Sequence, residues 1–242
     1  MGRAKEIKIK VIPSKIANEF IKEHHYSGKI VNNSVLHFGA FLGNVLHGVM
    51  SFGSPLDKRK VIGLVVDKNG EPCKWNEMLE LNRMAFDEKL PRNSESRAIS
   101  IAIKLLKKNA PHIKWILSFA DGTQCGDGTI YRASGFKLTN IKENNQIWEI
   151  VGGNKTRNRT INRVSVSKGK NILKDGASSM KQFVDLGYKP LEGYQLRYIY
   201  IIDREYKLSV QEVPYSDIDK LGVGMYKGKK ISIKERNASV VK

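Results

Sequence analysis

In the stretch Asp121-Gly122-Thr-Gln-Cys125-Gly126-Asp127-Gly128-Thr-Ile-Tyr131, a carboxylate, a thiol and a phenol are strung along a glycine-rich turn. A carboxylate can take a proton from an amine or hold a metal ion, and a phenol can act as an acid. A thiol exposed among glycines, ahead of a helix N-terminus, is a candidate for reaction with a donor group. Each residue also has a structural use. Asp121 can close an Asx turn or cap a helix, Tyr131 can pack with its hydroxyl satisfied, and Cys125 has no histidine beside it in sequence to act as a base.

Other side chains join this set. Arg83 stands in an otherwise apolar run, Met78-Leu-Glu80-Leu-Asn-Arg83-Met-Ala-Phe86. By strict alternation Leu79, Leu81 and Arg83 share one face and Glu80 faces away. A charge on a buried face must be paired or touch a ligand, and Glu77, Asp121 or a substrate are the candidates. Ser118, inside the run Trp115–Ala120, either reaches the same mouth or packs. His25 and Tyr26 follow a predicted helix, where a histidine is already favoured by the helix dipole. Read as ligands, His25, Tyr26, Asp121 and Tyr131 form a His/Tyr/carboxylate set suited to iron. His37 and His47 read as surface or core fillers. Trp75, Tyr26 and Phe119 are candidates to stack on a base.

These side chains need a frame. Trp115–Ala120 reads as a buried strand that delivers Asp121 to its C-terminal end, where open α/β sheets bind ligands. Ile7–Ile12 alternates apolar and basic residues as a half-exposed strand ended by Pro13. Ser14 is placed to cap a helix reaching about His25. Two apolar runs, Val35–Leu42 and Val45–Phe52, are joined by Gly43-Asn44, a hairpin turn. Ser94 or Ser96 is placed to cap a helix to about Asn109, with Ile99, Ala102, Ile103 and Leu106 on one stripe. Phe136–Thr139 and Ile147–Val151 predict a closing hairpin, Met180–Leu186 a short helix, and Leu196–Ile202 a strong strand. Between Pro55 and Pro72 the pattern is loose.

Composition limits the partners. The chain of 242 residues carries a formal charge of +18, which attracts polyanions, nucleic acid first among them. Lys155, Arg157, Arg159, Arg163, Lys168 and Lys170 sit among Asn, Thr and Ser with no acidic residue, a mix suited to phosphate contacts or to a solvated linker. Two cysteines make no disulfide framework and suit a reducing cytoplasm. No apolar run reaches a membrane span, and Met1-Gly-Arg-Ala-Lys5 lacks the apolar stretch of a secretory signal.

The element order and the exit Tyr131-x-x-x-Gly135-Phe136 resemble the GNAT acyltransferase superfamily. The resemblance implies an α/β (α+β) fold with a mixed, mostly antiparallel central sheet flanked by helices and followed by a basic C-terminal extension. The expected division is a catalytic domain over 1–152 and a basic region over 153–242 that completes the sheet or binds nucleic acid. In that superfamily a glycine-bearing turn wraps the CoA pyrophosphate. Here the turn is Pro91-Arg92-Asn-Ser94-Glu95-Ser96-Arg97, so Arg92, Ser94, Ser96, Arg97 and Cys125 become the candidate donor-binding set. Leu79–Met84, Pro91–Arg97 and Ser118–Tyr131 together resemble the phage Mom proteins. That resemblance implies conversion of adenine in double-stranded DNA to its N6-carbamoylmethyl derivative, in the cytoplasm of a host bacterium, protecting phage DNA from restriction. It implies that Asp121 and Tyr131 belong to the active site and raises the standing of Arg83 as a substrate contact. An iron ion, an acyl-CoA and a glycyl-tRNA remain the cofactor and donor candidates. The alternatives are a CoA-dependent N-acyltransferase acting on another amine and a non-catalytic DNA-binding protein.

Overall fold

The structure, a computed structural model, describes residues 3–122, 126–144 and 193–221, and elsewhere only the backbone pairing of short strands. The principal sheet has seven strands: β1 (Lys8–Val11), β2 (Ser34–Leu42), β3 (Val45–Gly53), β4 (Met78–Phe86), β5 (Trp115–Asp121), β6 (Lys137–Glu143) and β7 (Tyr194–Ile201). Their spatial order is β1-β2-β3-β4-β5-β7-β6. The neighbours from β1 to β4 pair antiparallel, and β4 pairs parallel with β5. This is the mixed, mostly antiparallel sheet expected from the sequence. The principal helices are α1 (Ser14–His24), α2 (Ser94–Asn109) and α3 (Thr129–Ala133).

Helix α1 buries Ala17, Phe20 and Ile21, at i, i+3 and i+4, against Ile12, Val49 and Ala85. Helix α2 buries Ala98, Ile99, Ala102, Ile103 and Leu106, the stripe read from the sequence. Neither helix starts as expected. Pro13 is the N-cap of α1, and Ser14 is already helical. Asn93 is the N-cap of α2, in the left-handed region at φ 69° with no side-chain capping bond. Ser94 is instead fully buried, so its hydroxyl is turned away from the capping position. Asn is among the few non-glycine residues that tolerate this conformation.

The Gly43-Asn44 hairpin forms, with Leu42 opposite Val45. The closing hairpin does not. Strand β7, whose Leu196, Tyr198 and Ile199 are fully buried, takes the place between β5 and β6. The 147–149 strand pairs with 163–165 and 189–190 in a separate sheet. A strand as apolar as β7 is stable only between two neighbours with both faces covered. The loose segment between Pro55 and Pro72 holds part of the core. Val61, Leu64, Val65 and Cys73 cluster with Met78, Trp115, Leu117 and Ile199. Burial pushes the Cys73 thiol up to about 12, so it stays an un-ionised packing group. The expected helix at Met180–Leu186 lies outside the described residues.

Two compact units can be drawn in the chain. One comprises 1–120, 128–140 and 196–217, and the other 121–127, 141–195 and 218–242.

Candidate active site

The first unit assembles a polar group on one face of the sheet, and an irregularity in β4 makes it. Phe52 of β3 lies opposite Leu81, but the next residue back, Ser51, lies opposite Arg83. Asn82 is therefore an extra residue, a β-bulge, and side-chain alternation changes phase across it. Glu80 and Arg83 consequently share a face, where strict alternation predicts opposite faces for them. The bulge is tied down on both sides. The Ser118 hydroxyl donates to the Leu81 carbonyl at 3.0 Å, and the Ser34 hydroxyl donates to Asn82 Oδ1 at 2.8 Å. Ser118 is fully buried, so its hydroxyl is committed to holding the backbone of β4.

Arg83 is positioned by main chain. Its Nη1 donates to the Asn82 carbonyl at 2.7 Å and its Nε to the Lys29 carbonyl at 3.0 Å. Beyond those two bonds the guanidinium makes none with the described residues. Burial lowers its affinity for a proton, while the Tyr26, Glu80 and Tyr131 oxygens favour its charge. Glu77, one of its expected partners, instead accepts from the Lys74 backbone N–H at 2.8 Å. Glu80 was not singled out by its sequence context. Burial pushes its carboxyl up to about 7, against the opposing pull of Arg83. The signal that would have found it is the count of residues between β3 partners, which local sequence does not carry.

Across the strands, Ser51 is opposite Arg83 and His37 is opposite Ser51. His37 Nδ1 and Ser51 Oγ are 2.7 Å apart, both buried. Burial lowers the His37 pKa, and its Nε2 has no partner among the described residues. His37 is thus a core residue of the Arg83 face. His47 is buried as well, with Nδ1 at 2.7 Å from Asp87 Oδ2.

His25 and Tyr26 follow α1 as expected, His25 buried at 6% exposure and Tyr26 open at 43%. Their rings meet at 4.3 Å between centroids. The Ser27 backbone N–H donates to His25 Nδ1 at 3.1 Å. His25 Nδ1 also lies 2.8 Å from the Ser27 hydroxyl oxygen. Among the described residues no group of three or more His, Cys, Asp or Glu could hold a metal ion.

Tyr131 lies in α3, buried between Phe136 at 5.4 Å and Tyr198 at 5.3 Å. Gly128 caps α3 at φ 75°, and any Cβ there would run into the Tyr198 ring. The glycine of the turn is thus required both by its backbone angle and by the aromatic packed on it. Asp121, the last residue of β5, belongs to the second unit and is half-buried. The N–H of Gly122 beside it donates to the Tyr194 carbonyl at 2.7 Å. Cys125 lies outside the described residues.

At the start of α2, the Ser96 hydroxyl donates to the Asn93 carbonyl at 3.2 Å. The Ser94 hydroxyl and Arg97 Nε are buried with no partner among the described residues. Arg92 stands one residue before the Asn93 cap. Of the basic stretch, Lys155 and Arg159 fall on a short antiparallel pair and Arg163 on a strand of the separate sheet. Arg157, Lys168 and Lys170 lie outside the described residues. No helix among the described residues is long and apolar enough to cross a membrane.

Residues 6–217 match the sequence model of the Mom protein family. A stretch of 144 residues is 40% identical to the methylcarbamoylase Mom of Escherichia phage Mu, covering 58% of this chain and 56% of that protein. The chain thus matches little more than half the length of that relative. Among solved structures, an acetyltransferase from Bacillus subtilis in complex with CoA aligns with 81% of this chain and 98% of its own, at TM-score 0.43 and 11% identity. The ribosomal-protein-S18-alanine N-acetyltransferase of Escherichia coli aligns with 81% and 94%, at TM-score 0.42 and 9% identity.

Proposed function

This chain belongs to the Mom protein family, and from that membership we propose that it is a transferase that modifies the N6 amine of adenine in DNA. The product on this reading is N6-carbamoyladenine's methylene homologue, N6-carbamoylmethyladenine, and its use is to shield phage DNA from restriction enzymes in the host cytoplasm. The observation that carries the reading is the family match over 6–217, which takes in His25, Tyr26, Arg83, Asp121 and Tyr131 together. The name of the phage Mu relative, a methylcarbamoylase, supports the same chemistry.

The roles follow from the side chains. An adenine in a duplex hides its N6 amine in the stack, so it must be turned out to react. Tyr26, exposed beside His25, offers a ring face on which the extruded base can stack. The N–H groups of Arg83 not used on backbone carbonyls offer donors to a ring nitrogen of the base or a carbonyl of the donor molecule. Asp121 is proposed as an acceptor of protons and Tyr131 as a donor. The donor is an acyl-CoA or a glycyl-tRNA, held by Arg92, Arg97 and the buried hydroxyl at the start of α2. Residues 1–152 form the catalytic part, and the basic residues from Lys155 to Lys170 hold DNA phosphates.

Nucleoside mass spectrometry on plasmid DNA from cells expressing the chain tests this. A deoxyadenosine heavier by one carbamoylmethyl group, absent with Asp121→Ala, is the expected result. Unmodified DNA beside well-expressed, folded protein would overturn it.

A further inference from the structure

A β-bulge re-aims the side chain of its extra residue, and in β4 that residue is Asn82. Strand β3 lies between β4 and β2, and the Asn82 amide spans it to reach Ser34, 2.8 Å from the hydroxyl to Oδ1. Ser34 is opposite Gly53, and Gly53 is opposite Glu80. The amide therefore stands on the face that carries Glu80 and Arg83, where the glycine between the partners leaves it room. Arg83 is joined to the same residue, its Nη1 donating to the Asn82 carbonyl at 2.7 Å. Asn82 is only 9% exposed, and its Nδ2 has no partner among the described residues. The bond from Ser34 uses one lone pair of Oδ1 and leaves the other, along with both hydrogens of Nδ2. His37 Nε2, buried on this face two strands from Arg83, is likewise without a partner among the described residues. A buried polar group left unpaired is costly in a resting protein. Two of them on one face persist where a ligand brings the partners.

We propose that Asn82 selects the base to be modified: its Nδ2 donates to N7 of the extruded adenine, and its Oδ1 accepts from the N6 amine. This rests on the adenine-modifying reading above and names the residue that reads the base within it. The edges of the bases decide for adenine. Adenine places an acceptor, N7, beside a donor, the N6 amine, and a carboxamide is the complement of that pair. Guanine places two acceptors there, N7 and O6, which suit Arg or Lys. In this position its O6 would be set against Asn82 Oδ1. Cytosine and thymine have no N7.

The contact is compatible with reaction at the same amine. Oδ1 takes one of the two N6 hydrogens, and the other hydrogen and the nitrogen lone pair stay available. Ser34 is a positioning residue in this scheme, since its hydroxyl holds the plane of the Asn82 amide. The bulge does the same for the strand beneath it, fixed by the Ser118 hydroxyl on the Leu81 carbonyl at 3.0 Å.

The test compares two DNAs of one sequence, amplified with dATP or with 7-deaza-dATP, which has a C–H in place of N7 and keeps the N6 amine. Full-length protein and clarified host extract, as the source of donor, are added, and the modified nucleoside is measured by mass spectrometry as kcat/KM. Wild type is expected to be on the order of 10- to 100-fold slower on the 7-deaza DNA. Asn82→Ala and Asn82→Leu are expected to lose a similar factor on ordinary DNA and to treat the two DNAs alike within threefold. A variant damaged only in its fold would slow on both DNAs and keep the wild-type preference, and that result would overturn the assignment of Asn82. So would a wild type that modifies both DNAs at rates within threefold. With variants too slow to rank, the wild-type ratio alone decides. A wild type that modifies neither DNA would overturn the underlying reading, and this assignment with it.

Discussion

Replacing Glu80 with glutamine should make the protein more stable, and only at the right pH. The carboxyl sits at about 7 in the folded chain against an ordinary value of 4.5. Its folded-state pKa is raised, so the folded state holds the proton more tightly than the unfolded chain does. The favourable contribution is fully present below pH 4.5 and is lost as pH rises to about 7. At 1.36 kcal/mol per pH unit, the ionised form costs the fold about 3 kcal/mol above neutrality, with solvent reaching the half-buried group lowering that toward about 2. Glutamine has nearly the same shape and no charge. Glu80→Gln should therefore match wild type at pH 4.5 and exceed it by about 2–3 kcal/mol at pH 8. For a chain of this size that is roughly 5–10 °C in melting temperature. Thermal and urea denaturation of both proteins, run from pH 4.5 to 8.5, measure it. A difference that is the same at every pH, or a glutamine variant less stable at pH 8, would refute the reasoning that Glu80 is a desolvated carboxylate without a donor.

Three further outcomes follow from the same geometry. Ser118→Ala removes the hydroxyl that holds the Leu81 carbonyl and should cost about 1–3 kcal/mol in urea denaturation, with a fall in adenine modification because the bulge loosens. Gly128→Ala places a Cβ against the Tyr198 ring at a positive φ and should lower stability by about 1–3 kcal/mol, read as a lower melting temperature. His37, whose pKa is lowered by burial, should make wild type lose stability as pH falls below about 6.5. His37→Gln should flatten that acid-side loss in a melting series, and an unchanged slope would contradict the buried, neutral state of the ring.

Much of the frame was legible because it is locally encoded. The Gly43-Asn44 turn, the α2 stripe and the apolar run of β5 each declare themselves within a dozen residues. What was not legible depends on partners distant in sequence. The run Leu79-Glu-Leu-Asn-Arg83 alternates cleanly and gives no hint that Asn82 is left out of the pairing with β3. Its misreading put Glu80 on the wrong face and hid a carboxylate whose ionisation is displaced toward neutrality. Ser94 and Ser96 looked like caps because serine favours that position. Burial of Ser94 decided otherwise, and the neighbouring Asn93 accepted the strained angle. The closing hairpin failed for the same kind of reason, since a more apolar strand from far along the chain competed for the edge it needed.

The bulge at Asn82 also changes what a mutation in this strand means. The two groups on the Arg83 face are matched by parity, by β4 having one residue more than the stretch of β3 it spans. Inserting one residue in β3 between Ser51 and Phe52 would leave every reactive side chain in the sequence and the hydrophobic content almost untouched. Yet it would give Asn82 a partner, restore strict alternation through it, and turn Glu80 and Arg83 to opposite sides of the sheet. The chemistry is thus written in a residue count as much as in residue identities. A homologue could keep all the letters of the site and still lose it through a single insertion in β3.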